Sequence, residues 1–424
     1  MSIRGRSVKL RGLHQRPSGL WRWLAILGPG VLASVAGDDA GGIGTTSIVG
    51  ARFGYELLWV LLLLTVSLAV VQEMAARLGA VTGRGLLDLV RERFGIGWAL
   101  LAVTVIVVAN AGVVATEFLG VAAAAELLGL SRSFSVPLSA IALWLLVQFG
   151  TYARAERLFL LMTLAFLAYP VAMVLANPDW GQVAQGAFVP TFHSDPEYLL
   201  LIVALIGTTI TPYQQLFQQS AVVEKRAAIG DYPDERTDAY VGAIIGNVIW
   251  VCVIIATAAT LYAHGVRNVQ SASDAAQALR PFAGDWAERL FGVGLLGASL
   301  LAGGIVPLAT AYSVSEAFGF RKGVGLDFRR APVFFGLFTA LLIIGAGVAV
   351  WPSVPLFDLL VWVQVLNGFL LPVVLAFILV LAGDRRLMGR LRNSPVQAIL
   401  GWGTLVVVSV SLVLLIGSTV LNSG

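Results

Sequence analysis

Apolar residues in this chain do not alternate with polar ones; they run on in blocks separated by short stretches rich in Arg, Asp, Gly and Pro. The block from Leu57 to Val71 is interrupted only by Thr65 and Ser67. A bilayer core takes about 17 to 25 apolar residues per helix. On that measure helices are predicted near 23–50, 57–80, 97–128, 134–150, 155–176, 198–224, 240–264, 288–318, 333–351, 355–382 and 396–421. The fold class is therefore an all-α integral membrane protein of about eleven transmembrane helices. A polar tail at 1–22 precedes one transmembrane domain at 23–424.

Composition supports this reading. Of the 424 residues, 58% are hydrophobic and 12% charged, about half the usual charged share of a soluble domain. A soluble globule is excluded, and lipid is the solvent in which backbone polar groups must be satisfied. The single cysteine, Cys252, excludes an intrachain disulfide and a multi-thiolate metal site, and is expected to pack. Arg4, Arg6, Lys9, Arg11 and Arg16 precede the first apolar block with no small-residue cleavage site, so the tail reads as retained. With that tail placed in the cytoplasm, 23 of the 28 basic residues fall inside and only Arg52, Arg132, Arg267, Arg280 and Arg289 outside. This split predicts a multi-pass plasma-membrane protein with a cytoplasmic N-terminus and an outer C-terminus. Nothing points to nucleic acid or to an obligate protein partner.

Two helices are punctuated unlike the rest. The first reads Gly28-Pro29-Gly30 and then Gly37-Asp38-Asp39-Ala40-Gly41-Gly42-Ile43-Gly44; the sixth reads Gly207-Thr208-Thr209-Ile210-Thr211-Pro212-Tyr213. Glycine and intramembrane carboxylates propagate a helix poorly, and proline frees a carbonyl one turn back. Breaks in helices one and six imply a repeat of five plus five. Repeat one covers about 23–176, repeat two about 198–382, and an extra helix about 396–421. An odd number of helices per repeat inverts the second, as in LeuT-type secondary transporters with binding sites at the breaks.

An ionised carboxylate in lipid requires a cation, a proton, a partner or water. Asp39 and Asp38 are read as a cation site, with Asp38 alternatively facing a water-filled vestibule. Opposite stand the Thr211 hydroxyl, the Tyr213 phenol and carbonyls such as that of Thr208; Thr211 is alternatively a packing residue. An all-oxygen set favours hard divalent ions.

Gly28-Pro29-Gly30, Asp39-Ala40-Gly41-Gly42, Phe53-Gly54-Tyr55, the run Leu57 to Leu62, Ala75 to Arg84, Arg91 to Gly95 and Ala115-Thr116-Glu117 together resemble the Nramp family of divalent-metal transporters. Classical members carry Asp-Pro-Gly-Asn where this chain has Asp39-Ala40-Gly41-Gly42, and Met-Pro-His where it has Thr211-Pro212-Tyr213. The amide and the thioether are thus replaced, which relaxes discrimination against Mg²⁺. That pattern resembles the Nramp-related magnesium transporters, which implies Mg²⁺, and also Mn²⁺, carried partly hydrated. The resemblance adds an amide in the tenth helix, Gln364 or Asn367. The full set expected to hold the ion is Asp39, Thr211, Asp38, Gly42, Ala36, Thr208, Tyr213, Gln364 and Asn367.

Where classical members place proton-relay groups, this chain has Gly120, Tyr213 and Gln218, and its histidines, His14, His193 and His264, fall in the tail or near helix ends. Uncoupled transport is therefore expected, with Glu117 either a proton carrier or a structural hydrogen-bonding group. Glu73, Glu126, Glu224 and Glu316 read as gate or interfacial groups. Gly292, Gly294, Gly297, Gly303 and Gly304 suggest close helix packing. The alternatives are a proton-coupled Mn²⁺/Fe²⁺ importer and a sodium-coupled amino-acid symporter; no enzyme motif or cofactor site stands out.

Overall fold

The computed structural model describes residues 28–422 apart from 151–153, 155–156, 159–160, 162–163, 165–166, 278–279, 281–283 and 352–353. The expected tail at 1–22, the start of the first helix and much of the fifth therefore lie outside the described residues. Its helices are α1 (Pro29–Gly37), α2 (Ala40–Phe53), α3 (Leu58–Thr82), α4 (Leu86–Phe94), α5 (Ile96–Leu127), α6 (Arg132–Phe149), α7 (Ala168–Leu175) and α8 (Trp180–Phe188). They continue as α9 (Pro196–Thr209), α10 (Pro212–Glu224), α11 (Tyr232–Thr260), α12 (Ala287–Phe318), α13 (Pro332–Val350), α14 (Leu356–Gly383) and α15 (Pro395–Asn422). Among the described residues nine spans are long and apolar enough to cross a membrane. The divided first helix and the partly described fifth fall outside that length test.

Local sequence places the helix ends. Pro29, Pro196, Pro212, Pro332 and Pro395 each open a helix, where the missing amide proton costs nothing. Gly83 ends α3 in the left-handed region, with φ 63°. Among the described residues four α-helices lie where none is predicted: α4, α8 and two short ones at Ala272–Ala276 and Arg385–Met388. The segment of α4 carries Asp88, Arg91, Glu92 and Arg93 among its leucines, so it is amphipathic and too short to register as a span.

Both expected breaks are present. Asp38 and Asp39 separate α1 from α2, and Ile210 and Thr211 separate α9 from α10. The first break is narrower than the glycine content suggests, because Gly41, Gly42 and Gly44 are helical. They serve close approach: a Cβ at 41 would lie 2.1 Å from Gln364 Nε2, at 42 2.3 Å from the Trp250 ring, and at 44 2.7 Å from Leu360 Cδ1.

The two divided helices run antiparallel. The start of α1 meets α11 near its first turns, whereas Gly54, after α2, meets Tyr262 beyond its far end. The segment before α9 meets the α2 end, through Thr191 and the Glu56 carbonyl. The core is polar along this axis and apolar around it, and apolar residues such as Ile343, Val406 and Val413 are exposed on the outside of the bundle.

Asp238 of α11 holds the start of α1: Oδ1 accepts from Gly28 N at 2.9 Å and Val31 N at 3.2 Å, and Oδ2 from Gly30 N at 2.6 Å. One carboxylate thus satisfies three helix-start amides where water is scarce. Replacing Asp238 with Ala strands them, and each buried amide left without a partner costs about 1–3 kcal/mol. Thermal unfolding of the purified variant should therefore shift down by several degrees; an unchanged midpoint would refute this role.

Candidate functional site

Asp39 is the N-cap of α2, and its Oδ1 accepts from Gly42 N at 2.6 Å. The amide of Gln364, on α14, donates to Oδ1 at 3.1 Å and to Oδ2 at 3.3 Å. The Tyr213 hydroxyl, on α10, lies 2.7 Å from the Ala36 carbonyl and 3.4 Å from Asp39 Oδ2. Both divided helices and α14 thus converge on one carboxylate. Asp39, Thr211, Tyr213, Gln364 and Asn367 are wholly buried, so the site is closed to water.

The expected residues take different places around this centre. Asp38 caps α1 at 1% exposure, and neither of its carboxylate oxygens has a hydrogen-bond partner among the described residues. The hydroxyls of Thr208 and Thr211 are likewise buried without partners. Gln214 Oε1 accepts from the Thr211 backbone amide at 3.1 Å, so the N-cap amide of α10 is satisfied at the break. Thr208 also has Pro212 at its i+4 position, so its carbonyl lacks the usual helical donor. These oxygens lack the donors that buried polar groups normally have, the condition expected where an ion completes the shell.

Three expected residues act on Asp39 or its neighbours, and of these only Asn367 also keeps a buried oxygen, Oδ1, without a donor among the described residues. Gly42 presents an N–H, a donor that orients a carboxylate and cannot ligate a cation, while its carbonyl accepts from Thr46 Oγ1 at 2.7 Å. Ala36 has its carbonyl engaged by Tyr213. Asn367 donates to Gln364 Oε1 at 2.9 Å, which places it behind the amide that reaches Asp39.

One residue of the site, Trp250, has no signal in the sequence, whereas Glu117 and Gly120 do. Trp250 of α11, 2% exposed, fills the space beside Gly42. Glu117 Oε2 accepts from Ala40 N at 3.2 Å, while Oε1 is buried without a partner among the described residues, an arrangement open to either role. Gly120 is a place where no acid fits: a Cβ there would lie 2.3 Å from Ser299 Oγ and 2.6 Å from Ala40 Cβ.

The four outlying glutamates divide. Glu73 pairs with Arg77 at 3.0 Å and accepts from Tyr232 and, at 2.8 Å, from Gln397, tying α3 to α11 and α15. Glu316 meets Ser220 at 2.7 Å and Lys322 at 3.1 Å, while Lys322 also meets Asp88 at 2.8 Å. Burial alone would lower the Lys322 pKa, but Glu316 and Asp88 outweigh it and hold the value above that of an ordinary lysine. Glu224 receives Tyr312 and Val324 N. These three brace the basic end of the bundle, whereas Glu126 pairs with Arg132 at the other.

Comparisons with known proteins bear on the fold and the family. The divalent metal cation transporter MntH of Deinococcus radiodurans is 31% identical over 408 residues, covering 92% of this chain and 89% of that protein. The Eremococcus coleocola manganese transporter, in a crystal structure with an aromatic bis-isothiourea substituted compound, superposes with TM-score 0.76 at 19% identity, covering 95% of this chain and 89% of that one. Mhp1, a nucleobase-cation-symport-1 family transporter, gives TM-score 0.58 at 17% identity, covering 88% of this chain and 81% of that one. The fold is thus the LeuT-type fold, with helices one and six broken. The profile of the natural resistance-associated macrophage protein-like family matches residues 30–418, and the chain belongs to that family, Nramp.

Proposed function

We propose that this protein carries divalent metal ions across the membrane, with Asp39 as principal ligand. Thr211, Thr208 and Asp38 supply further oxygens, and Gln364 moves its amide between Asp39 and the ion. The observation that carries this reading is the convergence of Asp39, Tyr213 and Gln364 at two helix breaks, beside buried oxygens without donors. The protein is a transporter rather than an enzyme. An amino-acid symporter shares the fold but not the family.

Among substrates, similarity to a divalent metal cation transporter and to a manganese transporter favours the manganese-type alternative over a magnesium preference. The donor set supports Mg²⁺ as a competing cargo, since Thr211 offers oxygen where classical members offer sulfur. Uncoupled transport has its support only in Gly120, Tyr213 and Gln218. The charge split likewise supports a cytoplasmic N-terminus and an outer C-terminus.

Proteoliposome uptake tests both points. Mg²⁺ in about tenfold excess is expected to halve Mn²⁺ entry, because all-oxygen donors separate the two ions weakly. Mn²⁺ uptake indifferent to a much larger Mg²⁺ excess would return the reading to the selective importer. An internal pH dye should show no acidification beyond leak; acidification proportional to metal flux would make the transport proton-coupled.

A further inference from the structure

A crevice of 440 Å³ opens at the basic end of the bundle between α3, α11 and the segment leading into α15. Four arginines line it, Arg77, Arg236, Arg390 and Arg392, and no carboxylate does. Arg77 is already engaged, by Glu73 at 3.0 Å, Asn393 Oδ1 at 2.7 Å and the Leu391 carbonyl. Arg236, Arg390 and Arg392 have no ion-pair partner among the described residues; Arg236 stands 5.4 Å over the Tyr240 ring. The nearby acids are committed elsewhere: Glu73 to Arg77, Glu235 to Lys225 at 3.1 Å, and Asp238 to the α1 amides. Asp234 is exposed on the first turn of α11 and does not line the crevice.

Two further features shape what fits. The N-terminus of α15, a helix of 28 residues, reaches the crevice through Ser394 and Gln397, so its aligned amides add positive potential. The rim is apolar: Val396 is 66% and Leu400 38% exposed, and the apolar surface continues along α15 through Ile399, Val406, Val410 and Val413. A free anion would use the guanidinium groups and leave this track bare. An amphiphile with a phosphate head uses both.

We propose that this crevice binds the phosphate headgroup of an anionic phospholipid, with its acyl chains along the outer face of α15. Because Arg77, Tyr232 and Gln397 line it and each bonds the Glu73 carboxylate, an occupied crevice braces the joint between α3, α11 and α15.

The test uses the full-length protein in mixed micelles with equal phosphatidylglycerol and phosphatidylcholine, bound lipid being counted by native mass spectrometry. The parent should retain phosphatidylglycerol selectively. The triple variant Arg236→Gln, Arg390→Gln, Arg392→Gln should lose that affinity about a hundredfold, at about fivefold per arginine, with phosphatidylcholine unaffected. A control with the same charge change elsewhere, Arg321→Gln, Arg329→Gln, Arg385→Gln, should retain phosphatidylglycerol as the parent does. Equal loss in both triples would mean diffuse surface charge and overturn the site, as would no loss in the first. Displacement of the lipid by millimolar inorganic phosphate would overturn the lipid assignment. If the triple variant does not fold, the single exposed Arg390→Gln decides, with about fivefold loss expected and no loss overturning the proposal.

Discussion

Asp39→Asn is expected to fold as the parent does and to lose divalent-ion uptake by two to three orders of magnitude. Asparagine caps a helix as well as aspartate, so the bond from Gly42 N survives through the remaining oxygen. The Gln364 amide also keeps an acceptor. What disappears is the charge at the centre of a wholly buried site. Removing one partner of a buried charge pair costs about 3–5 kcal/mol, and every 1.4 kcal/mol is about tenfold in affinity. Dye-monitored flux in liposomes, with thermal unfolding in parallel, separates loss of binding from loss of fold. Uptake within a few-fold of the parent would remove Asp39 from the ligand set.

The second large effect concerns Gly42 and Trp250, which the structure makes interdependent. Gly42→Asn restores the amide that classical members carry, but its Cβ would lie 2.3 Å from the Trp250 ring and 2.6 Å from Thr208 Oγ1. Overpacking of this kind costs about 1–3 kcal/mol or more. Trp250→Ala alone leaves a cavity and is expected to cost about 3–5 kcal/mol. Together the two changes relieve each other, because the space vacated by the indole receives the asparagine. A double-mutant cycle on unfolding should therefore show favourable coupling of about 1–3 kcal/mol. Additive losses would mean that the indole does not determine what stands at position 42.

Much of this architecture is legible from residues that the bilayer makes conspicuous. Carboxylates at 38–39 and a proline at 212 stand out because lipid penalises them, and both mark real breaks. Gly120, Gly41 and Gly42 are harder to interpret, since a missing side chain does not say what occupies its place. Trp250 is one apolar residue within an apolar helix, and only its neighbours reveal that it fills the room beside Asp39's partner. Gln364 and Asn367 lie less than one turn apart on α14; sequence leaves their order open, and the geometry sets Gln364 against Asp39 with Asn367 behind it. The helix α4 escapes notice for another reason: it lies along the basic end, where Glu92 and Arg93 are exposed, Asp88 and Arg91 are paired, and no apolar run announces it.

The sealed centre of the bundle has a kinetic consequence. With Asp39 as the proposed ligand, a carboxylate with no exposed surface would not exchange its ion at the rate of diffusion; each ion would wait for helices to part on one side and then on the other. Throughput is therefore metered by the protein's own clock, on the microsecond-to-second scale of helix rearrangement. Flux should level off as external metal rises, and its steepness with temperature should be that of an activated mechanical step, not of ions drifting through water. The joint held by Asp238 lies at the start of α1, away from Asp39 at its far end, so stiffening it is expected to change maximal rate more than ion affinity.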